Sequence, residues 1–429
     1  DPLWSRGLGD VYKRQIVDSF LETSYSWQIN GEDISNELTC TLPTIELGEY
    51  QVRFATHNED GDDEVTFKVE VCSPDQVDFN WTFLQTEYNM SAGRTIRIKP
   101  VDVNNALDAV YTWTVDNEQV QSGENDTYLF TSEQQGEHTV KVEMKNSYIL
   151  ATQTLKVNVC PPAGTYQRKI SATSSASMNR VYEYLPAPGQ FINESHTTTT
   201  MAEACTYAEE RINQTAYVSL GGFGGYIIVG FDHSIVNDGD YNIAITGNAF
   251  DGSSEPGIVW VMQDENGDGL PNDTWYELRG SEYGKAETWQ DYAVTYHKPS
   301  GIQLPTPWTD NHGQSGSIDY LGAFHRQDYY YPTWIKEKQY TLRGTRLKER
   351  NYDQSGNGTY WVNDSYEWGY ADNFSAIDRL TDDDNYNAGP SDNHFKISHA
   401  VTFDGKDANL KYVDLSLIHI SEPTRPERI

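Results

Sequence analysis

The densest set of oxygen-bearing side chains in the sequence is Asp264-Glu-Asn266-Gly-Asp268-Gly269-Leu270-Pro-Asn272-Asp273. Oxygen donors stand at its first, third and fifth positions, with glycine at the sixth. Ca²⁺ is a hard cation that takes about six to eight oxygen ligands, and this spacing turns alternate side chains inward while glycine makes the bend. The expectation is a Ca²⁺ site formed by Asp264, Asn266 and Asp268, the backbone carbonyl of Leu270, and Asp273 as the closing ligand. Carboxylates crowded into one turn repel one another unless a cation is present. The same residue types also build an ordinary Asn/Asp/Gly turn between two strands, and both readings stand at this point.

The twelfth position of the loop is Trp275, where an EF-hand needs a bidentate Glu, so the EF-hand pattern fails. The loop more closely resembles the shorter calcium loops of dockerin and thrombospondin-type repeats. A second acidic group, Asn248, Asp251 and Glu255 in GNAFDGSSEPG, reads either as a ligand site at a strand end or as a turn whose side chains cap backbone amides. Asp382-Asp-Asp384 reads as a solvated acidic loop.

Aromatic side chains gather in Trp289, Trp308, Tyr329, Tyr330, Tyr331 and Trp334. Exposed aromatic rings suit sugars, whose C–H faces stack on the π-face, but Tyr and Trp equally fill ordinary cores. No catalytic residue is assigned. G-x-S-x-G, H-E-x-x-H, S-x-x-K and the phosphate-loop pattern are all missing from the chain. The Gly-rich run Leu220 to Gly225 lies between strand-like segments and is weak as a phosphate loop.

The elements that must position these groups read as strands. Thr, Val, Tyr and Trp alternate with Gly, Asn and Asp turns, as in Tyr226–Phe231, Tyr241–Ile245, Gly257–Met262, Trp275–Leu278 and Tyr292–Tyr296. One helix is expected after the capping box Thr200-Met-Ala-Glu203, with Met201, Ala204, Cys205, Ala208 and Ile212 at helical spacing. An internal repeat organises the first 160 residues. Tyr25-Ser-Trp27 recurs as Tyr111-Thr-Trp113, Gly48-Glu-Tyr-Gln-Val52 as Gly136-Glu-His-Thr-Val140, and Val69-Glu-Val-Cys72 as Val157-Asn-Val-Cys160. Repeats of this length with a Trp in a mid-domain strand describe Ig-like sandwiches. The fold class is therefore all-β: tandem Ig-like sandwiches, then a larger jelly-roll-like sandwich with one helix. The expected domains are 16–72, a truncated first repeat, 73–160, a complete second one, and 165–414, the larger unit, after the linker Cys160-Pro-Pro-Ala-Gly164.

The Y-x-W strand, the G-x-Y-x-V strand and Asn58-Glu-Asp60-Gly61 before a last V-x-V strand resemble the PKD family of surface Ig-like domains. Unit two departs from that pattern at His138 and Asn146. In PKD domains these residues are structural, so the resemblance implies a spacer or display role. The larger unit resembles a group of uncharacterised gut-bacterial cell-surface proteins with PKD-like repeats upstream. The carriers are LGGFGGYIIVGFDHSI (Leu220 to Ile235), Gly247 to Glu282, YYPTWI (Tyr330 to Ile335) and NYDQSGNGTYW (Asn351 to Trp361). That resemblance implies export and surface display and brings no catalytic residues.

The extreme ends read differently. Ser5–Gln15 (SRGLGDVYKRQ) and Leu415–Arg425 (LSLIHISEPTR) back-translate to reverse complements of one DNA element, which resembles a sequencing-library adapter. Residues 1–15 and 415–429 are therefore expected to be non-native, irregular and loosely attached, with the signal peptide and membrane anchor lying in missing natural ends.

With 64 acidic against 31 basic residues, the net charge is −33. Such a surface repels polyanions, which excludes nucleic acid as a partner. No apolar run reaches the ~20 residues of a membrane helix. Cys40, Cys72, Cys160 and Cys205 are spaced too widely for a zinc cluster. The leading functional expectation is an extracellular, cell-surface binding or adhesion protein. PKD-like spacers would present a Ca²⁺-stabilised sandwich that captures a glycan or other nutrient, with an outer-membrane uptake system as the expected partner. A carbohydrate-active hydrolase using paired carboxylates and a structural stalk or surface-layer component are the alternatives.

Overall fold

The computed structural model describes residues 23–41, 46–59, 61–71, 73, 76, 79–214, 216–357, 360–380 and 391–421. Residues 1–15, Cys72 and Asp382–Asp384 lie outside the described residues. The chain divides into two compact units. One comprises Asp1–Tyr88, Arg97–Phe130 and Glu137–Asn158; the other comprises Asn89–Ile96, Thr131–Gly136 and Val159–Ile429.

Among the described residues, the first repeat forms one sheet of β1 (Ser24–Ile29), β2 (Glu32–Ser35), β3 (Gly48–Asn58) and β4 (Gly61–Val71), in the order β2-β1-β3-β4. Strand alternation sends Trp27, Ile29, Val52 and Phe54 to one face. Trp27 pairs with Phe54 across β1 and β3, and their ring centroids lie 4.4 Å apart.

The second repeat contains more strands: β5 (Trp81–Phe83), β6 (Glu87–Ser91), β7 (Thr95–Ile98), β8 (Pro100–Val103), β9 (Val110–Val115), β10 (Glu118–Gly123), β11 (Tyr128–Thr131), β12 (Gly136–Lys145) and β13 (Leu150–Cys160). They form a five-stranded sheet in the order β10-β9-β12-β13-β6 and the pairs β7–β11 and β5–β8. The repeats differ in cover. Leu155 and Val157 are fully buried, while Phe67 and Val69, their counterparts in the repeat, are half-buried.

The larger unit begins with β14 (Arg180–Leu185) and α1 (Met201–Asn213). Thr200 caps the helix, accepting from the Glu203 N–H at 3.2 Å, and Glu203 accepts in return from Thr199 N–H at 2.7 Å. Ala204 and Ala208 are the helix residues that become buried. The strands that follow are β15 (Tyr226–Val236), β16 (Ile243–Gly247), β17 (Gly257–Met262), β18 (Trp275–Leu278), β19 (Trp289–His297), β20 (Thr306–Asp310), β21 (Ser315–Ile318), β22 (Gln339–Arg346), β23 (Asn351–Asp353), β24 (Trp361–Asn363), β25 (Ser391–Phe395), β26 (Ala400–Val401) and β27 (Tyr412–Ile420). Two sheets dominate, β14-β15-β27-β17-β18-β26 and β21-β20-β19-β22, and the pairs β16–β25 and β23–β24 complete the unit. Its strand pairs are antiparallel. The chain is thus all-β, with α1 the α-helix among the described residues.

The Gly-rich run packs tightly and makes no phosphate loop. Gly221 has φ +71, and a Cβ on Gly225 would lie 1.8 Å from the carbonyl oxygen of Leu220. Phe223, within the run, is fully buried in the aromatic core, with its ring 4.8 Å from that of Tyr292.

One expectation needs correction. Leu415–Ile420 is neither irregular nor loose. It lies inside β27, between β15 and β17, with Leu415 and Ser416 buried. Alternating Leu, Ile and polar residues make a competent strand, and the gap between β15 and β17 takes it. The element crosses the expected boundary at Asp414.

Candidate functional site

The acidic loop connects β17 to β18, whose register pairs Met262 with Trp275. Asp264, at its start, is buried, and its carboxylate folds back over the turn. Oδ1 accepts from Gly267 N–H at 2.7 Å and Oδ2 from Gly269 N–H at 3.1 Å. Gly267 and Gly269 have φ of +81 and +69, a backbone region that glycine enters without strain. Asn266 and Asp268 lie outside. Asn266 donates to Asp268 at 2.8 Å, and Asp268 accepts from Leu270 N–H at 2.7 Å. The five residues expected to bind calcium are therefore brought into one loop, but they divide into a buried pair, Asp264 and Asp273, and an outer group of Asn266, Asp268 and Leu270. Among the described residues, no three His, Cys, Asp or Glu side chains stand ready as a metal set.

The buried side of the loop is more charged than its spacing implied. Asp273 is 3 % exposed; its Oδ2 accepts from Glu265 N–H at 3.0 Å, and its Oδ1 is buried with no hydrogen-bond partner. Burial, with the Glu265, Asp264 and Asp268 carboxylates adding to it, pushes Asp273 up to about 8. Asp264 is also raised, by burial first and by the neighbouring Asp414.

Glu265 is buried too. Its Oε2 accepts from Ser91 N–H at 3.1 Å, and its Oε1 lies 3.0 Å from Arg94 Nε in an ion pair out of line for a hydrogen bond. Asp414 is wholly buried. It accepts from Asp264 N–H at 2.9 Å, Ser234 Oγ–H at 2.6 Å and Arg168 at 3.0 Å. The Tyr412 hydroxyl is buried beside them without a hydrogen-bond partner.

Four buried carboxylates thus meet two guanidiniums, Arg94 on Glu265 and Arg168 on Asp414. Among the described residues, Asp264 and Asp273 have no cationic side chain of their own. Sequence spacing missed Glu265, which occupies an even, non-coordinating position. It also missed Asp414, Arg94 and Arg168, which reach the loop only through long-range folding.

The aromatic expectation is corrected. Tyr330 and Tyr331 are 2 % and 1 % exposed and belong to the core. Their hydroxyls bond inward, Tyr330 to the His325 carbonyl at 3.1 Å and Tyr331 to the Glu337 carbonyl at 3.0 Å. A buried Tyr ring keeps its hydroxyl bonded to nearby backbone, as both of these do from the irregular segment between β21 and β22. Trp289, Trp308, Tyr329 and Trp334 are half-buried against the same cluster. His312 stacks on Trp289 at 4.1 Å and Arg346 lies over it at 4.5 Å, so the ring already has two stacking partners. Trp308 lies across Gly316, where a Cβ would meet its ring at 2.6 Å. These residues form no single exposed platform.

Asn248, Asp251 and Glu255 are exposed. Their turn is held by Asp372, whose carboxylate accepts from the N–H groups of Asn248 and Ala249, both at 2.7 Å. Cys40 and Cys205 are free thiols. No helix among the described residues is long and apolar enough to cross a membrane.

No curated protein matches the chain. Among solved structures, the fibronectin(III)-like modules of Clostridium thermocellum CbhA are similar at 15% identity over 34% of this chain and 83% of theirs, with a TM-score of 0.18. The FN1–FN3 domains of chicken CNTN1 are similar at 10% identity over 77% of this chain and 81% of theirs, with a TM-score of 0.19. The Bacteroides ovatus mixed-linkage glucan utilization locus protein SGBP-B, solved with a mixed-linkage heptasaccharide, is similar at 14% identity over 92% of this chain and 89% of its own, with a TM-score of 0.15. The model of the PKD-like domain family matches residues 83–146, which takes in the Trp113 strand and the whole of its partner β12: this part of the chain is a PKD-like domain.

Proposed function

We propose that the chain is a cell-surface binding protein in which PKD-like repeats act as spacers and the larger β-unit takes Ca²⁺ at the 264–273 loop. The observation that carries the calcium reading is Asp273, whose Oδ1 is buried and unpartnered among carboxylates. Leaving a buried acceptor unpaired costs about 1–3 kcal/mol, more when it is charged. One divalent cation would displace the proton that burial holds on Asp273 and balance the charge of Asp264 and Asp273, the two acids that lack a guanidinium. It would draw Asp264 away from the Gly267 and Gly269 N–H groups and bring Asn266, Asp268 and the Leu270 carbonyl to the same ion.

The proposed ligand of the larger unit is a neutral glycan or another uncharged nutrient, delivered to an outer-membrane uptake system. The net charge of −33 favours such ligands over polyanions. Thermal melting of the whole chain in Ca²⁺ and in EDTA tests the calcium part. Binding the folded state alone stabilises by about 2.7 kcal/mol at a hundredfold excess over Kd. Superimposable melting curves would reject calcium. A glycan array probed with and without Ca²⁺ tests the ligand class, and an array blank in both would reject glycans.

A further inference from the structure

Asp414 holds the loop from behind. It is fully buried, and each of its carboxylate oxygens has a defined task. Oδ2 accepts from the backbone N–H of Asp264 at 2.9 Å. Oδ1 accepts from Ser234 Oγ–H at 2.6 Å and from Arg168 Nη2 and Nε at 3.0 and 3.3 Å. Ser234 and Arg168 are themselves fixed. Arg168 N–H donates to Ser234 Oγ at 2.8 Å, Ser234 N–H donates to the Arg168 carbonyl at 3.0 Å, and Arg168 Nη1 donates to the Phe231 carbonyl at 2.9 Å. The β17–β27 register pairs Met262 with Leu415, so Asp414 meets the chain where the loop begins.

We propose that Asp414 is the positioning residue of the calcium loop: it fixes the backbone of Asp264 and adds a buried negative charge behind the ion. This rests on the calcium reading above. Two observations separate the role from simple packing. The acceptor reaches the main chain of a proposed ligand, and its other oxygen is locked by two donors from different segments. Asp273, 3 % exposed with Oδ1 buried and unpartnered, is the independent sign that points to a cation on this side of the loop.

The test measures Tb³⁺ affinity, with Ca²⁺ competition, on the whole chain well below its melting temperature. Wild type is compared with Asp414→Asn and Ser234→Ala. Asparagine keeps an acceptor for Asp264 but removes the charge and turns an amide toward Arg168. Partners behind metal ligands are typically worth ~10–100-fold in affinity, so Asp414→Asn is expected to weaken Tb³⁺ at least ~10-fold. Ser234→Ala removes one hydrogen bond to Asp414 and is expected to weaken binding about threefold. A role in folding alone would lower the melting temperature equally in Ca²⁺ and EDTA and leave the affinity unchanged, which would overturn the proposal. If Asp414→Asn does not fold, Ser234→Ala decides by the same criterion. Wild type that binds no Tb³⁺ overturns the calcium reading and this proposal with it, whereas binding wild type with unchanged variants overturns this proposal alone.

Discussion

Asp264 and Asp414 stand 150 positions apart, yet the backbone N–H of the first donates to the buried carboxylate of the second at 2.9 Å. The contact exists because β27 enters the sheet beside β17, and its register places Leu415 opposite Met262. The acidic loop is therefore fixed at its root by a residue that no local spacing reveals. The geometry of the loop and its buried charge are two consequences of one sheet register.

Gly267→Ala should damage the loop selectively. Gly267 has φ +81, and a Cβ there would lie 2.6 Å from the Tyr166 ring. A side chain at such a φ costs on the order of 1 kcal/mol or more. Chemical denaturation should show that loss, and the Ca²⁺-induced rise in melting temperature should shrink. An unchanged rise would show that the loop backbone does not set the site.

Glu277 gives a pH signature. It is buried, with Oε2 accepting from Thr345 Oγ–H at 2.5 Å, and burial, partly offset by that bond, pushes it up to about 7. The unfolded chain ionises it near 4.5, so the folded state holds the proton longer. Its contribution to stability is full below pH 4.5 and is lost as pH rises to about 7, by roughly 3 kcal/mol at most. Glu277→Gln should therefore gain stability relative to wild type across that window and change little below it. Parallel pH profiles for the two proteins would contradict this.

Tyr330 separates packing from ligand contact. Tyr330→Phe keeps the ring and loses the hydroxyl that donates to His325 and accepts from Leu321 N–H. That should cost roughly 1–2 kcal/mol. Tyr330→Ala should cost about 3–5 kcal/mol through the cavity it leaves. Urea titration of both variants gives the comparison; a Tyr330→Ala variant as stable as wild type would return the residue to the surface.

The two repeats should differ in resistance to protease. Phe67 and Val69 are half-covered, whereas Leu155 and Val157 are fully buried. An open apolar face lowers the cost of local opening. Limited proteolysis read by mass spectrometry should cut within 23–71 before it cuts within 79–160. Equal protection would contradict the difference in cover.

Local patterns carried much of the fold. The Tyr-x-Trp strands, the Thr200 cap and the 264–273 hairpin were legible because each depends on neighbours within one element. Burial of the Tyr330–Tyr331 pair was not legible, since the two lie in the irregular segment between β21 and β22, where no strand or helix period marks which side chains face the core. Glu265 was misjudged for a related reason: ligand spacing marks it as outward, but the loop sits against Ser91 and Arg94, which convert an outward position into a buried one. Asp414 carried no local signal at all.

The proposed cation site is a single one, built on Asp264 and Asp273. Its most direct test is calorimetric titration of Ca²⁺ into the EDTA-treated whole chain, alongside Asp273→Asn. Wild type should bind one Ca²⁺ per chain, and Asp273→Asn, which keeps the size and loses the charge, should weaken binding by at least about tenfold. No heat of binding in wild type, or equal affinity in the two proteins, would contradict the claim.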